Sequence, residues 1–142
     1  MPNSMASSIR PDTPSPQSTV TAVLVAHDGA SWLPQTLIAI NNQSRPVDRI
    51  IAIDTGSLDT SAKLISAAGI TVIPAPRDLG FGDAVELALA QLPAEADDEW
   101  IWLLHDDCAP DEGALAELLQ AGAERHVSPS AGTRRRCTRS RA

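Results

Sequence analysis

Cysteine is scarce in this chain. Cys108 and Cys137 are the only two in 142 residues, too few for a disulfide framework. That excludes a secreted mini-protein and a zinc finger, and makes a reducing, cytoplasmic setting the default. No apolar run approaches the roughly 18 residues of a membrane helix. The first 18 residues hold no apolar stretch of the kind a signal peptide carries. The composition excludes a collagen, and no internal repeat is visible. Basic residues are also few in the main body. Residues 1–124 contain all 18 acids and only Arg10, Arg45, Arg49, Lys63 and Arg77 as cations. Such a body is a poor nucleic-acid surface. The composition that remains, 43% hydrophobic and 20% charged, is that of an ordinary soluble globular protein.

Three segments are expected. Residues 1–18 are rich in Ser, Pro and Asn and read as disordered. Residues 19–124 carry the regular pattern. Residues 125–142 hold six arginines and no acid, have almost no periodicity, and are expected not to pack. Arg134, Arg135 and Arg136 could touch phosphates, but without aromatic neighbours this is a generic basic tail.

Within the middle segment, Val20 to Ala26 is a continuous apolar run, as in a strand covered on both faces. Residues 31–43 show helix spacing, with Ser31 as the expected N-cap. Arg49 to Ile53 is a second buried strand. Residues 59–68 form a short helix, opened by Asp59 and closed by Gly69. Ile70 to Ile73 is a third strand, ended by Pro74 and Pro76. Residues 82–92 form a helix, and Trp100 to Leu104 a fourth strand. A last helix runs from Pro110–Asp111 to about Ala123. This β-α-β-α-β-α-β-α order predicts an α/β fold with a mainly parallel sheet and helices on both faces.

Ligands of open α/β sheets bind at the carboxyl ends of the strands. Here those ends are His27-Asp28-Gly29, Asp54-Thr55-Gly56-Ser57, Arg77-Asp78-Leu79-Gly80 and His105-Asp106-Asp107. Each delivers an acid to one edge. A divalent cation would relieve their repulsion. Carboxylates are the ligands that Mg²⁺ or Mn²⁺ prefer, commonly with a phosphate opposite.

Each motif also has a plainer reading. Asp54 could only start a turn, and Asp28-Gly29 could be an ordinary turn. Gly80-Phe81-Gly82 could be a junction chosen for backbone freedom. His27 and His105 could each simply bond a carbonyl. Arg77 could meet a phosphate or pair with Asp78 or another acid. Asp106-Asp107 is harder to read as structural, because two adjacent acids after a buried strand are costly without a cation.

Together these blocks resemble the family 2 glycosyltransferases, inverting enzymes with the GT-A, Rossmann-like nucleotide-sugar fold. The likeness covers about residues 19 to 123. It rests on TAVLVAHDGASWLPQTL, IIAIDTGSLDTS, RDLGFGDAVELAL and WIWLLHDDCAPDEGALAELL, in that order. The resemblance implies that Ala26, His27 and Asp28 line the nucleotide pocket and that Asp54 binds the base, uracil in many members. It places Gly80, Phe81 and Gly82 near nucleotide or sugar. It makes Asp107 the metal ligand, with His105 at the motif's first acid position and Asp106 between them, beside the nucleotide. Thr55 replaces the second Asp of many members. The implied cofactor is Mg²⁺ or Mn²⁺. The implied partners are a nucleotide-diphosphate sugar, a UDP-sugar first, and a glycan or lipid-linked acceptor, as in cell-envelope glycan synthesis. The implied location is the cytoplasm, including the inner face of the membrane.

In that family the catalytic base and acceptor site follow the metal motif. Here no carboxylate follows Glu124, so the catalytic base is unknown. The expectation is a fold incomplete at its C-terminus, with a non-catalytic nucleotide-binding fragment as the alternative. Two other classes fit less well. Asp54-Thr55-Gly56 matches an aspartic-protease signature, but that fold is all-β and the helical periodicity opposes it. A dinucleotide-binding Rossmann domain needs Gly-x-Gly-x-x-Gly after the first strand, and the Gly-x-Gly here follows the third.

Overall fold

A computed structural model describes residues 18–93, 99–124 and 135–137. Of the expected disordered segment 1–18, residues 1–17 lie outside the described residues, as does most of the basic tail, and Ser18 is buried. Strands β1 (Thr19–Ala26), β2 (Arg49–Thr55), β3 (Val72–Ala75), β4 (Glu99–His105) and β5 (Arg135–Cys137) alternate with helices α1 (Leu33–Asn41), α2 (Ser61–Ala67), α3 (Phe81–Leu89) and α4 (Ala114–Glu124) up to β5. The sheet order is β3-β2-β1-β4-β5. Every pairing is parallel. The α/β architecture read from the sequence is the one observed.

The apolar runs explain the layers. Alternate strand residues point to opposite faces. Val20, Ala22, Leu24 and Ala26 join Trp100, Trp102 and Leu104 under Leu33 and Ile40 of α1, Ile65 of α2 and Leu115 and Leu119 of α4. Val23 and Val25 join Ile51, Ile53 and Ile101 under Ala84, Val85 and Ala88 of α3. A strand covered on both faces cannot alternate polar and apolar, so β1 is apolar from Ala22 to Ala26. Among the described residues no helix is long and apolar enough to cross a membrane.

Several boundaries differ from the sequence reading. Helix α1 starts at Leu33, with Trp32 rather than Ser31 at the cap position and no side-chain cap. The Gly29 carbonyl accepts the Trp32 and Leu33 N–H groups instead, at 3.0 and 2.9 Å. Helix α2 starts two residues later than expected, but Asp59 still accepts the Ser61 N–H at 2.9 Å. Gly69 ends it at φ +80°, as expected. Strand β3 runs over 72–75, so Pro74 lies inside it, opposite Asp54. An edge strand tolerates a proline because its outer side needs no ladder bond. Helix α3 begins at Phe81 and stops at Leu89. Helix α4 begins at Ala114, later than Pro110–Asp111. The tail was expected not to pack, yet residues 135–137 pair along Trp100–Trp102.

Gln43 ties the two ends of this frame together. It is buried. Its amide donates to the Ala39 and Asp111 carbonyls at 3.0 and 2.7 Å, and its oxygen accepts the Leu115 N–H at 3.0 Å. That last bond satisfies one of the donors left open at the start of α4.

Candidate functional site

The chain runs from β1 outward to β2 and β3, then returns to place β4 on the other side of β1. The strand order therefore reverses between β1 and β4. A crevice opens at such a point, outside the carboxyl ends of the strands. A cleft of about 390 Å³ lies there, lined by Val25, His27, Thr55, Arg77, Leu79, Phe81, His105, Asp106 and Asp107. Of the expected site residues, His27, Phe81, His105, Asp106 and Asp107 meet in this cleft. Ala26, Asp28, Asp54, Gly80 and Gly82 do not line it.

The loop after β1 is fastened to the end of β4 by Asp106. Its carboxylate accepts the His27 N–H at 2.7 Å, and its carbonyl accepts the Thr36 hydroxyl at 2.6 Å. Gly29 packs directly against this carboxylate, where a Cβ would lie 2.2 Å from Oδ2. Burial pushes the Asp106 carboxyl above the usual range, the adjacent Asp107 charge adds to this, and the His27 N–H opposes it. Asp106 thus serves first as a structural anchor.

The same loop is fastened to the loop after β2. Ser57 Oγ accepts the Asp28 N–H at 3.0 Å, Ser61 Oγ accepts the Gly29 N–H at 2.9 Å, and Asp59 accepts the Ala30 N–H at 3.0 Å. Asp28 adopts φ +49°, the left-handed region that Asp tolerates better than most residues. There its carboxylate accepts the Leu58 N–H at 2.7 Å and receives the Arg77 guanidinium at 2.5 and 3.3 Å. Arg77, followed by the Leu58 N–H, holds the Asp28 carboxyl at about 2. The ion-pair reading of Arg77 is the one observed, with Asp28 rather than Asp78 as partner. Arg77 also donates to the Gly56 carbonyl at 2.9 Å. Gly56, at φ +62°, leaves room for it, since a Cβ would lie 2.9 Å from the Arg77 Cβ.

Asp54 turns inward. It is buried, and its carboxylate accepts the Ser57 N–H at 3.1 Å and the Ser57 hydroxyl. Here the turn-building reading describes the geometry. Ala26 is fully buried and offers its carbonyl to the Thr55 hydroxyl at 3.2 Å. Gly80 caps α3 and Gly82 lies in its first turn with open space around it. Phe81 stacks on His105, with ring centroids 4.2 Å apart and planes 17° from parallel. His27 Nδ1 meets the Thr55 carbonyl at 3.0 Å and its hydroxyl at 2.8 Å. Val25, Thr55 and Leu79 are lining residues that the motif reading did not assign to the site. Thr55 is visible only as an oddity in the Asp-x-Gly-Ser block, and Leu79 carries no signal at all.

Asp107 remains. It is exposed, and among the described residues no hydrogen bond or ion pair engages its carboxylate. It borders the cleft and also a second groove of about 730 Å³ between β4 and α4. Among the described residues no three His, Cys, Asp or Glu side chains form a ready metal cage. Mg²⁺-type sites do not require one, because one or two carboxylates with waters and substrate phosphates suffice. An uncommitted Asp107 beside His105 fits a cation held mainly by a ligand's phosphates.

Comparison with known proteins agrees with this architecture. The family model described as glycosyl transferase family 2 matches residues 21–141. A galactofuranosyltransferase of Mycolicibacterium smegmatis is 29% identical over 116 residues, covering 78% of this chain and 38% of that protein. Two crystal structures of glucosyl-3-phosphoglycerate synthase from Mycobacterium tuberculosis share the fold. One contains Mn²⁺, uridine diphosphate and glucosyl-3-phosphoglycerate, with a TM-score of 0.54 at 23% identity. The other contains uridine diphosphate, with a TM-score of 0.52 at 22% identity. Each comparison covers 68% of this chain and 36% of the synthase. The chain therefore spans little more than a third of the length of these relatives. Its matched residues include every element of the sheet, and it belongs to glycosyl transferase family 2.

Proposed function

We propose that the cleft at the β1/β4 switch point binds a nucleotide-diphosphate sugar, a UDP-sugar first, together with Mg²⁺ or Mn²⁺, for inverting glycosyl transfer to a glycan or lipid-linked acceptor. The observation that carries the reading is the uncommitted Asp107 carboxylate, at the mouth of a cleft whose other lining acid, Asp106, is engaged. Asp107, with His105 beside it, would hold the cation. Asp106 and the bonds of Asp28, Ser57 and Ser61 would keep the nucleotide loop in place. His27 and Asp28 would face the nucleotide, and Asp54 would act on it by shaping the loop after β2. Phe81 would pack at the sugar side, between Gly80 and Gly82. When bound, the cation would neutralise charge on the departing diphosphate. An inverting transfer also needs a base for the acceptor hydroxyl, and the described cleft assigns none. In the relatives that this chain matches, such a base has a further two thirds of the protein to come from.

The test is calorimetric titration of UDP into the chain, with and without Mn²⁺, beside Asp107→Ala. Metal-dependent binding that is lost in the variant supports the reading. A folded chain that binds no UDP in the presence of Mn²⁺ overturns it. Binding in the absence of any turnover would favour the second reading, a nucleotide-binding part without complete catalysis. The 38% coverage of the relative is the observation that keeps this reading in view.

A further inference from the structure

We propose that Thr36 is a positioning residue for the metal ligand: from inside α1 its hydroxyl holds the peptide that leads into Asp107, and so sets where that carboxylate points. This rests on the nucleotide-and-metal reading above and adds to it a residue that the cleft lining does not include.

The Asp107 side chain is exposed, and among the described residues no hydrogen bond or ion pair engages it. Its direction is therefore set by its own backbone. A peptide unit is planar, so the Asp106 carbonyl oxygen lies in one plane with the Asp107 N and Cα. A bond that holds this oxygen stops the plane from turning. Thr36 Oγ1 donates to it at 2.6 Å, from 70 residues away. On the far side the Cys108 N–H donates to the His105 carbonyl at 3.2 Å. That bond closes a four-residue turn with Asp107 at its third position. The Asp106 carboxylate, on the His27 N–H at 2.7 Å, steadies the turn from below. Two of these three donors are main-chain groups. Thr36 is the side-chain donor among them.

Thr36 is suited to the task. It is 1% exposed, and its branched side chain has restricted χ1 freedom. A threonine in a helix ordinarily bonds back to its own preceding turn. That acceptor, the Trp32 carbonyl, lies 3.2 Å from the hydroxyl. It already accepts the Gln35 and Thr36 N–H groups at 3.1 Å each. A hydroxyl has one hydrogen to give, and the shorter contact is the one to Asp106. The hydroxyl thus serves the end of β4 rather than its own helix.

The experiment is calorimetry of UDP, with and without Mn²⁺, for the unmodified chain, Thr36→Val, Thr36→Ser, Asp107→Ala and the double variant Thr36→Val/Asp107→Ala. Thr36→Val keeps the shape and removes the donor. It should weaken UDP binding in Mn²⁺ by about tenfold or more, as removal of a group that orients a metal ligand does. Binding without Mn²⁺ should not change. Thr36→Ser keeps the donor and should bind as the unmodified chain does. In the Asp107→Ala background Thr36→Val should add nothing, because both act through one ligand. A general structural defect would instead appear in both backgrounds and without the metal. A folded Thr36→Val chain with unmodified binding overturns the positioning role and leaves the nucleotide site standing. So does a Thr36→Ser chain as weak as Thr36→Val, since packing of the methyl would then be the cause. If circular dichroism shows Thr36→Val unfolded, Thr36→Ala beside Thr36→Ser makes the same comparison. No Mn²⁺-dependent binding by the unmodified chain overturns both readings.

Discussion

Gly29→Ala is the sharpest perturbation of this frame. The added methyl would sit 2.2, 2.3 and 2.6 Å from Oδ2, Cγ and Cβ of Asp106. Ordinary carbon contacts lie at about 3.5–4.0 Å, so more than 1 Å of movement is needed. The Gly29 backbone is poorly placed to give it. Its carbonyl holds the first turn of α1 through Trp32 and Leu33, and its N–H donates to Ser61. Asp106 must swing instead and release the His27 N–H. Losing a charge-assisted bond costs about 1.5–3 kcal/mol, and overpacking adds about 1–3 kcal/mol. The sum, about 2.5–6 kcal/mol, is a large share of a typical total of about 5–15 kcal/mol. Urea unfolding followed by circular dichroism measures it. Gly82→Ala is the control, because nothing lies within 4 Å of its added carbon. It should be neutral or stabilising by up to about 1 kcal/mol, the helix preference of Ala over Gly. A Gly29→Ala chain within about 0.5 kcal/mol of the unmodified one, the range of an ordinary surface change, would refute the anchoring role given to Asp106.

Acid should destabilise the fold. Asp28, Asp48 and Asp59 all have carboxyls lowered from 3.8 in the folded state, chiefly by Arg77, the Val20 N–H and the Ser61 hydroxyl respectively. Their stabilisation is fully present above the unfolded value and is lost as pH falls through the folded ones, down to about 2 for Asp28. Melting temperatures from pH 6 to pH 2 test this, and a flat profile below pH 4 would contradict it. Asp106 has the opposite sign, since its raised carboxyl contributes stability only as pH falls through its folded value. Asp106→Asn, which keeps an acceptor for the His27 N–H, should therefore melt no lower than the unmodified chain at pH 7. Gln43→Ala should cost about 2–4 kcal/mol in denaturant unfolding, because it strips partners from the Asp111 carbonyl and the Leu115 N–H.

Long apolar runs made β1, β2 and β4 legible, because a strand buried on both faces has few places for polar residues. Element ends were less legible where the stop or start is not a side-chain signal. Helix α1 is opened by a main-chain carbonyl, that of Gly29, so the serine at 31 misdirects the eye. Pro74 looks like a terminator until β3 is known to be an edge strand. The pairing of residues 135–137 with β4 could not be anticipated from a segment without periodicity. At the site, the sequence showed that four strand ends carry acids to one edge. It could not show which acids are already used. That depends on partners far away along the chain: His27 and Asp106 are 79 residues apart, and Asp28 and Arg77 are 49 apart. The Asp106-Asp107 pair, read as two functional acids, separates into an anchor and an uncommitted carboxylate for this reason.

That separation bears on how a metal would bind. If all five strand-end acids were open on the cleft, their mutual repulsion would make it a strong cation trap. Instead Asp54 is spent on Ser57, Asp28 on Arg77 and Leu58, and Asp106 on His27, while Asp78 lies outside the cleft lining. Among the residues lining the cleft, one exposed carboxylate, Asp107, and the stacked imidazole of His105 remain. Such a donor set holds a divalent cation weakly unless phosphate oxygens complete the shell. By the same token, a diphosphate arriving alone meets Asp107 unneutralised. Each ligand should therefore raise the affinity of the other, and by the same factor. A coupling of about 1–3 kcal/mol, or 5- to 150-fold, is the usual size of such a linkage. Titration of Mn²⁺ followed by electron paramagnetic resonance, with and without saturating UDP, reads one side of it. Calorimetry of UDP at two Mn²⁺ concentrations reads the other. Tight Mn²⁺ binding in the absence of nucleotide would mean that more than Asp107 and His105 is open to the metal, and that Asp106 or Asp28 gives up its loop contact to reach it.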